Sequence, residues 1–112
     1  MVIEKWIYTH IEEALFDYEK IKTSTKSTEI ILTKAIEDTL VYYKGKLHET
    51  MMREYYFKAT QRAKMYNRGK WHNQICFNLI MTDPSMGYVL RREIIYRVAL
   101  VCASNNLYKF SS

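Results

Sequence analysis

One proline and three glycines in 112 residues leave this chain few places to turn. Long helices are therefore favoured over a sandwich or a barrel, which need frequent turn residues. The single proline stands at the sharpest break in the sequence. An amphipathic run from Trp71 to Met81 meets Thr82-Asp83-Pro84, and a long helical pattern from Ser85 to Ala103 follows. Asp83 suits an N-cap, and Pro84 suits the first helical position, where its missing N–H costs nothing. Helix, tight turn and a second helix carrying Arg91, Arg92 and Arg97 make the outline of a helix-turn-helix, a device that reads duplex DNA.

The two faces of the second helix separate on a helical wheel. With Gly87 as the origin, Leu90, Ile94, Val98 and Val101 fall within about 60° of it, which marks the buried direction. Gly87 sits where a small residue lets the two helices approach. Ser85, Tyr88, Val89, Arg92 and Tyr96 lie on the opposite face, beginning at the N-terminal end, where a recognition helix touches base edges. On the first helix, Trp71, Ile75, Cys76, Leu79 and Ile80 face one way.

Upstream, Ile3, Ile7, Ile11, Ala14, Leu15 and Tyr18 recur at helical spacing, with Glu4, Glu12, Glu13, Asp17 and Glu19 around them. This predicts an acidic helix within residues 1–22, whose apolar stripe serves either the core or an interface. Lys22 to Ser27 reads as a linker, and Ser27 or Thr28 as the cap of the next helix. Residues 28–57 hold the central helices. One runs from about Glu29 to Tyr43 on Leu32, Ala35, Ile36, Thr39, Leu40 and Tyr43, and the next from Leu47 to Phe57. Gly45 ends or bends the chain between them. Residues 58–70 carry Lys58, Arg62, Lys64, Arg68 and Lys70 with no acid, a basic connector that Asn67-Arg68-Gly69 should close. Residues 71–103 complete the helix-turn-helix, and Leu107 to Ser112 reads as a loosely held tail. The expectation is a single domain, all-α, with four to five helices.

Charge is distributed unevenly. Residues 1–45 hold six lysines against eight carboxylates, whereas residues 46–112 hold eleven basic against four acidic side chains. The basic half is also the half with the helix-turn-helix outline, the footprint expected of a nucleic-acid binder. At 26% charged residues, no apolar run approaches the ~20 residues that cross a bilayer. Glu4 and Lys5 interrupt any secretory leader. Cys76 and Cys102 have no paired spacing and read as reduced core thiols of a cytoplasmic protein.

At these residues the chain resembles a known family. Met81 to Ala99 (MTDPSMGYVLRREIIYRVA) is similar to the C-terminal helix-turn-helix of RinA/ArpU-type phage regulators of late transcription, related in style to region 4 of sigma factors. Asp83 stands at the cap, Arg91-Arg92 at the basic pair, and Ile94-Ile95, Arg97 and Ala99 fit without a gap. Arg53 to Phe57 (REYYF) is similar to the family's E-Y-Y-F segment, and Thr25 to Glu29 matches its layout. The likeness covers about residues 24–103. It implies a sigma-region-4-like fold at the C-terminal end, double-stranded DNA as ligand, host RNA polymerase as partner and a possible homodimer. Three departures stand out. Met86 replaces the usual Thr, Val89 replaces a frequent basic residue, and residues 58–70 are longer than the usual link. The first two weaken polar contact to DNA. They suit an alternative, a small phage protein on the same scaffold that binds and inhibits a host protein, such as a CRISPR effector.

The expected DNA-contact set is Ser85, Met86, Tyr88, Val89, Arg91 and Arg92, with Arg92 the first candidate for a bidentate contact to guanine. Arg91 lies nearer the buried direction, where it can snorkel, pair with an acid elsewhere or touch phosphate. Arg62, Lys64, Arg68 and Lys70 are the expected phosphate contacts, which give affinity but little sequence preference. Glu93 and Arg97 should pair along the helix. Met65 and Tyr66 read as packing on the core, with stacking on unpaired bases of single-stranded DNA or RNA as the minor alternative, and the ten tyrosines as packing residues with wet hydroxyls. Glu12-Glu13 reads as a charged helix face. His10, His48 and His72 are scattered, and no catalytic, metal or cofactor motif is present.

Overall fold

A computed structural model describes residues 3–108, with the backbone alone for Leu79 and Ile80. The described residues are all-helical: α1 (Lys5–Phe16), α2 (Tyr18–Ile21), α3 (Ser27–Tyr42), α4 (Leu47–Met51), α5 (Gln61–Tyr66), α6 (Arg68–Ile75) and α7 (Pro84–Ser104). None of these helices is long and apolar enough to cross a membrane. Two helices continue without a break into π-helical turns, α4 through Met52–Phe57 and α6 through Cys76–Ile80.

The periodic stripes become the core. Ile7, Ile11, Ala14 and Leu15 of α1 and Leu32, Ala35 and Ile36 of α3 are buried with Leu90, Ile94, Ile95, Val98 and Ala99 of α7. The α1 stripe is therefore core. Helix α7 is the central element and touches α1, α3, α4 and α6. Asp38 meets Arg97 while Tyr43 meets the carbonyl of Glu93, so α3 and α7 run antiparallel.

Several boundaries differ from the sequence expectation, each for a local reason. The N-terminal helix breaks at Asp17, whose backbone leaves the helical region (φ −95°, ψ 11°). Helix α3 begins at Ser27 with Lys26 as its N-cap and no side-chain cap, so neither Ser27 nor Thr28 caps it. Ser24 instead accepts the Lys26 amide at 3.1 Å. Gly45 ends rather than bends the central pair, adopting a left-handed φ of 82°. The basic connector is itself helical. Thr60 caps α5 by accepting the Ala63 amide at 3.0 Å, and only Asn67 interrupts. Arg68 and Gly69 open α6, so this helix starts three residues before Trp71. The tail is also better held than expected, because Tyr108 is buried and packs edge-on to Trp6 and His10. The rest of that expectation, residues 109–112, lies outside the described residues, as do the side chains of Leu79 and Ile80.

Between α6 and α7, Met81 takes a left-handed conformation (φ 59°) and the Thr82 amide returns to the Cys76 carbonyl at 2.9 Å. Asp83 then caps α7 by accepting the Met86 amide at 3.0 Å, with Pro84 at the first helical position. Such a cap contributes about 1 kcal/mol. Gly87 lies against α6 so closely that a Cβ there would sit 2.3 Å from Cys76 Sγ and 2.9 Å from the His72 ring. This sets helix propensity against packing. Propensity alone makes Gly87→Ala stabilising by roughly 1 kcal/mol, but overpacking costs about 1–3 kcal/mol or more. We expect urea denaturation to show Gly87→Ala destabilised; a neutral or stabilised variant would mean the two helices are not held at this distance.

Candidate nucleic-acid interface

The start of α7 presents most of the expected DNA-contact residues outward. Ser85, Met86, Tyr88 and Arg92 are exposed, and Val89 is half-buried. Two of them already have intramolecular work. The Ser85 hydroxyl donates to the Asp83 carboxylate, joining the helix cap. Tyr88, 52% exposed, stacks one face on His72 at 4.0 Å between ring centroids. Arg92 has no hydrogen-bond or ion-pair partner among the described residues and remains available to a ligand.

Arg91 turns inward, which corrects its place in the contact set. Its side chain is only 11% exposed, and Nη2 donates to Glu12 Oε2 at 2.8 Å. Nη1 donates to His72 Nδ1 at 3.1 Å, and the guanidinium lies 4.5 Å over the Tyr55 ring. The Tyr56 hydroxyl donates to the same Glu12 oxygen at 2.7 Å. Burial, and then the Glu12 carboxylate, push that hydroxyl well above its usual range, so it keeps its proton. The sequence reading missed Glu12, Tyr56 and His72 as a group. One signal was present: Tyr8 and Phe16 flank Glu12 at four-residue steps, so aromatics stand on either side of it along its face of α1. Tyr55 and Tyr56 are both fully buried, contrary to the expectation of wet hydroxyls, because the π-helical turn after α4 packs against α1 and α6.

The expected phosphate contacts divide into two pairs. Lys64 binds Asp17, and Arg68 donates to Glu13 Oε1 at 2.5 Å while lying 3.8 Å from Glu12. Arg68 also donates to the Lys64 carbonyl and covers the Phe16 ring. The acidic helix is thus laid along the basic segment, and Lys64 and Arg68 are engaged within the protein. Arg62 and Lys70 are exposed with no partner among the described residues. Other pairings differ as well. Glu93 contacts His48 at 3.1 Å, while Arg97 reaches Asp38 at 3.9 Å and stacks on Tyr42, so Glu93 and Arg97 do not pair. Met65 and Tyr66 are exposed and do not pack on the core.

Around the same turn the surface is apolar. Phe77 is 58%, Met81 82% and Met86 46% exposed. Both cysteines are free and buried. Cys76 lies 3.4 Å from His72 Nε2, but the hydrogen bonds fix the tautomer. Nε2 donates to the Pro84 carbonyl at 2.9 Å, and Nδ1 accepts from Arg91, so the ring has no lone pair free to take the thiol proton. Burial also pushes the Cys76 thiol up, and that of Cys102 up to about 12. Among the described residues no group of three His, Cys, Asp or Glu side chains comes together to hold a metal ion.

Two outcomes follow from the buried network. Removing the Glu12 charge strands Arg91, so Glu12→Gln should destabilise the fold by roughly 3–5 kcal/mol in urea denaturation; a loss under about 1 kcal/mol would show the pair is effectively solvated. His72 is held below its ordinary 6.5 by burial first and then by Arg91, against the opposing Pro84 carbonyl. The unfolded chain therefore binds a proton that the folded chain refuses. Stability from this group is complete above pH 6.5 and is lost as pH falls through the depressed folded value. His72→Gln should flatten that part of the stability–pH profile, and an unchanged slope would place the titration elsewhere. No family model, curated protein or solved structure matches the chain.

Proposed function

We propose that this chain is a phage or prophage DNA-binding regulator of late transcription, built on a sigma-region-4-like helix-turn-helix and acting with host RNA polymerase in the bacterial cytoplasm. It works by binding rather than by catalysis. The observation that carries the reading is the start of α7. A capped helix projects Ser85, Met86, Tyr88 and Arg92 from its first three turns while Gly87 and Leu90 face inward. Arg92 would contact a base edge, Val89 and Met86 would suit thymine methyl groups, and Arg62 and Lys70 would add phosphate contacts. Arg91 is not part of this surface.

The reading is supported by the free cation at Arg92 and by the resemblance of Met81 to Ala99 to the RinA/ArpU regulators. A second reading is favoured by one observation, the exposed Phe77, Met81 and Met86 around the turn. Exposed apolar side chains of this size suit a protein partner better than a phosphate backbone. On that reading the protein binds and inhibits a host protein.

Gel-shift titration against duplex DNA across salt concentrations separates the two. The regulator should bind with affinity that falls steeply as salt rises, and salt-independent or absent binding would leave the protein-partner reading. Arg92→Ala should cost about 1–3 kcal/mol and relax preference at one base position; intact preference would remove Arg92 from base reading. The internal ion pairs give a further expectation. Glu13→Gln with Asp17→Asn releases Arg68 and Lys64, which lie beside Arg62 and Lys70 in sequence. Two added phosphate contacts would steepen the log–log salt slope by about 1.8. An unchanged slope would show that α5 and α6 face away from the duplex.

A further inference from the structure

Duplex phosphate contact accounts for Arg62 and Lys70 in the cleft between α5 and α6, but not for the aromatic and amide side chains beside them. It is an open cleft of about 340 Å³ lined by Thr60, Arg62, Ala63, Asn67, Lys70, Trp71 and Gln74. That volume lies in the range of small-molecule sites, roughly 300–1,000 Å³. Four of the lining residues, Asn67, Lys70, Trp71 and Gln74, stand at i, i+3, i+4 and i+7. They form one side of α6, counting Asn67 as its N-cap, next to the face that buries His72 and Ile75.

Each part has a distinct chemical capacity. Arg62 and Lys70 bring two positive charges to the cleft; among the described residues no carboxylate lines it and neither cation has a partner. This differs from Lys64 and Arg68 nearby, which Asp17 and Glu13 neutralise. The Trp71 indole is half-buried and fixed, because its Nε1 donates to the Tyr55 carbonyl at 2.8 Å. A pinned ring at a cleft wall is a stacking platform that loses little freedom on binding. The side-chain amides of Asn67 and Gln74 make no hydrogen bond among the described residues and offer both donors and acceptors. Two cations, a fixed aromatic plane and two free amides are complementary to a phosphoryl group joined to a flat heterocycle.

We propose that the α5–α6 cleft binds a nucleoside phosphate, with Arg62 and Lys70 on the phosphoryl group and Trp71 against the base. The source is either a free nucleotide or an unpaired terminal nucleotide of a strand, and the chemistry recognised is the same. The site shares Arg62 and Lys70 with the proposed duplex phosphate contacts but uses no residue of the outward face of α7.

The test is tryptophan fluorescence in a Trp6→Phe background, which leaves Trp71 as the sole indole. Adenosine 5′-monophosphate should quench it saturably, and adenosine without phosphate should bind at least about tenfold more weakly. Arg62→Ala with Lys70→Ala, both exposed positions, should weaken the monophosphate by about tenfold or more with the helical circular dichroism unchanged. A 5′-phosphorylated oligonucleotide forms the second arm. Binding tighter than the monophosphate by about tenfold identifies a strand end, and equal or weaker binding identifies a free nucleotide. The proposal is overturned if neither ligand quenches saturably by about 10 mM, or if the double variant binds both as well as the parent. Arg92→Ala serves as the independent control. It should leave the monophosphate unaffected even where it abolishes duplex binding, so failure of one reading is distinguishable from failure of the other.

Discussion

The pairing of Glu12 with Arg91 ties together the elements that surround it. Glu12 comes from α1 and Arg91 from α7, two helices separated by most of the chain, and the pair is joined by Tyr56 after α4 and His72 of α6. Four elements therefore meet at one polar cluster inside an otherwise apolar core. Taking two charges out of water is costly, and an apolar pair of similar volume is often no less stable. What this cluster contributes is position: a guanidinium that must satisfy Glu12, Tyr56 and His72 at once admits one rotation of α7. That rotation decides which side chains of α7 remain outside.

The consequence for the candidate interface is direct. With Arg91 drawn inward and Gly87 pressed on Cys76 and His72, the outward strip at the start of α7 consists of Ser85, Met86, Tyr88, Val89 and Arg92. The same acidic helix that supplies Glu12 also places Glu13 and Asp17 on Arg68 and Lys64. Two of the five cations that make residues 58–70 look like a phosphate-binding strip are thus matched by carboxylates from residues 12–17, and a third, Lys58, pairs with Glu54. The charge asymmetry between the two halves of the chain is real in sequence but is partly cancelled where the halves touch.

Much of the architecture was readable before any coordinates. The stripes of Ile7, Ile11 and Leu15 and of Leu32, Ala35 and Ile36 identified their buried faces, because helical spacing fixes direction locally. Asp83-Pro84 marked the start of α7 for the same reason: a cap and a pre-set φ act within one turn. Boundaries governed by backbone competition were less legible. Asp17 breaks the first helix, and Ser24 rather than Ser27 or Thr28 meets the backbone before α3. Residues 58–70 looked like a connector because their charges hide the short helices that Thr60 and Asn67 delimit.

The sequence by itself determined an all-helical chain, the faces of its principal helices and the turn before α7, since each follows from contacts within a few residues. Only the tertiary structure decided which charges are free. Glu12 and Glu13 are neighbours in sequence, yet Glu12 is buried against Arg91 while Glu13 sits at the rim on Arg68. Arg91 and Arg92 are likewise adjacent, and one is enclosed while the other faces solvent. A turn of 100° between successive helical residues sends such neighbours into different surroundings, and the partner each meets comes from a distant part of the chain. Charge availability, on which any binding function of this protein rests, is therefore a property of the packed helices rather than of the sequence pattern.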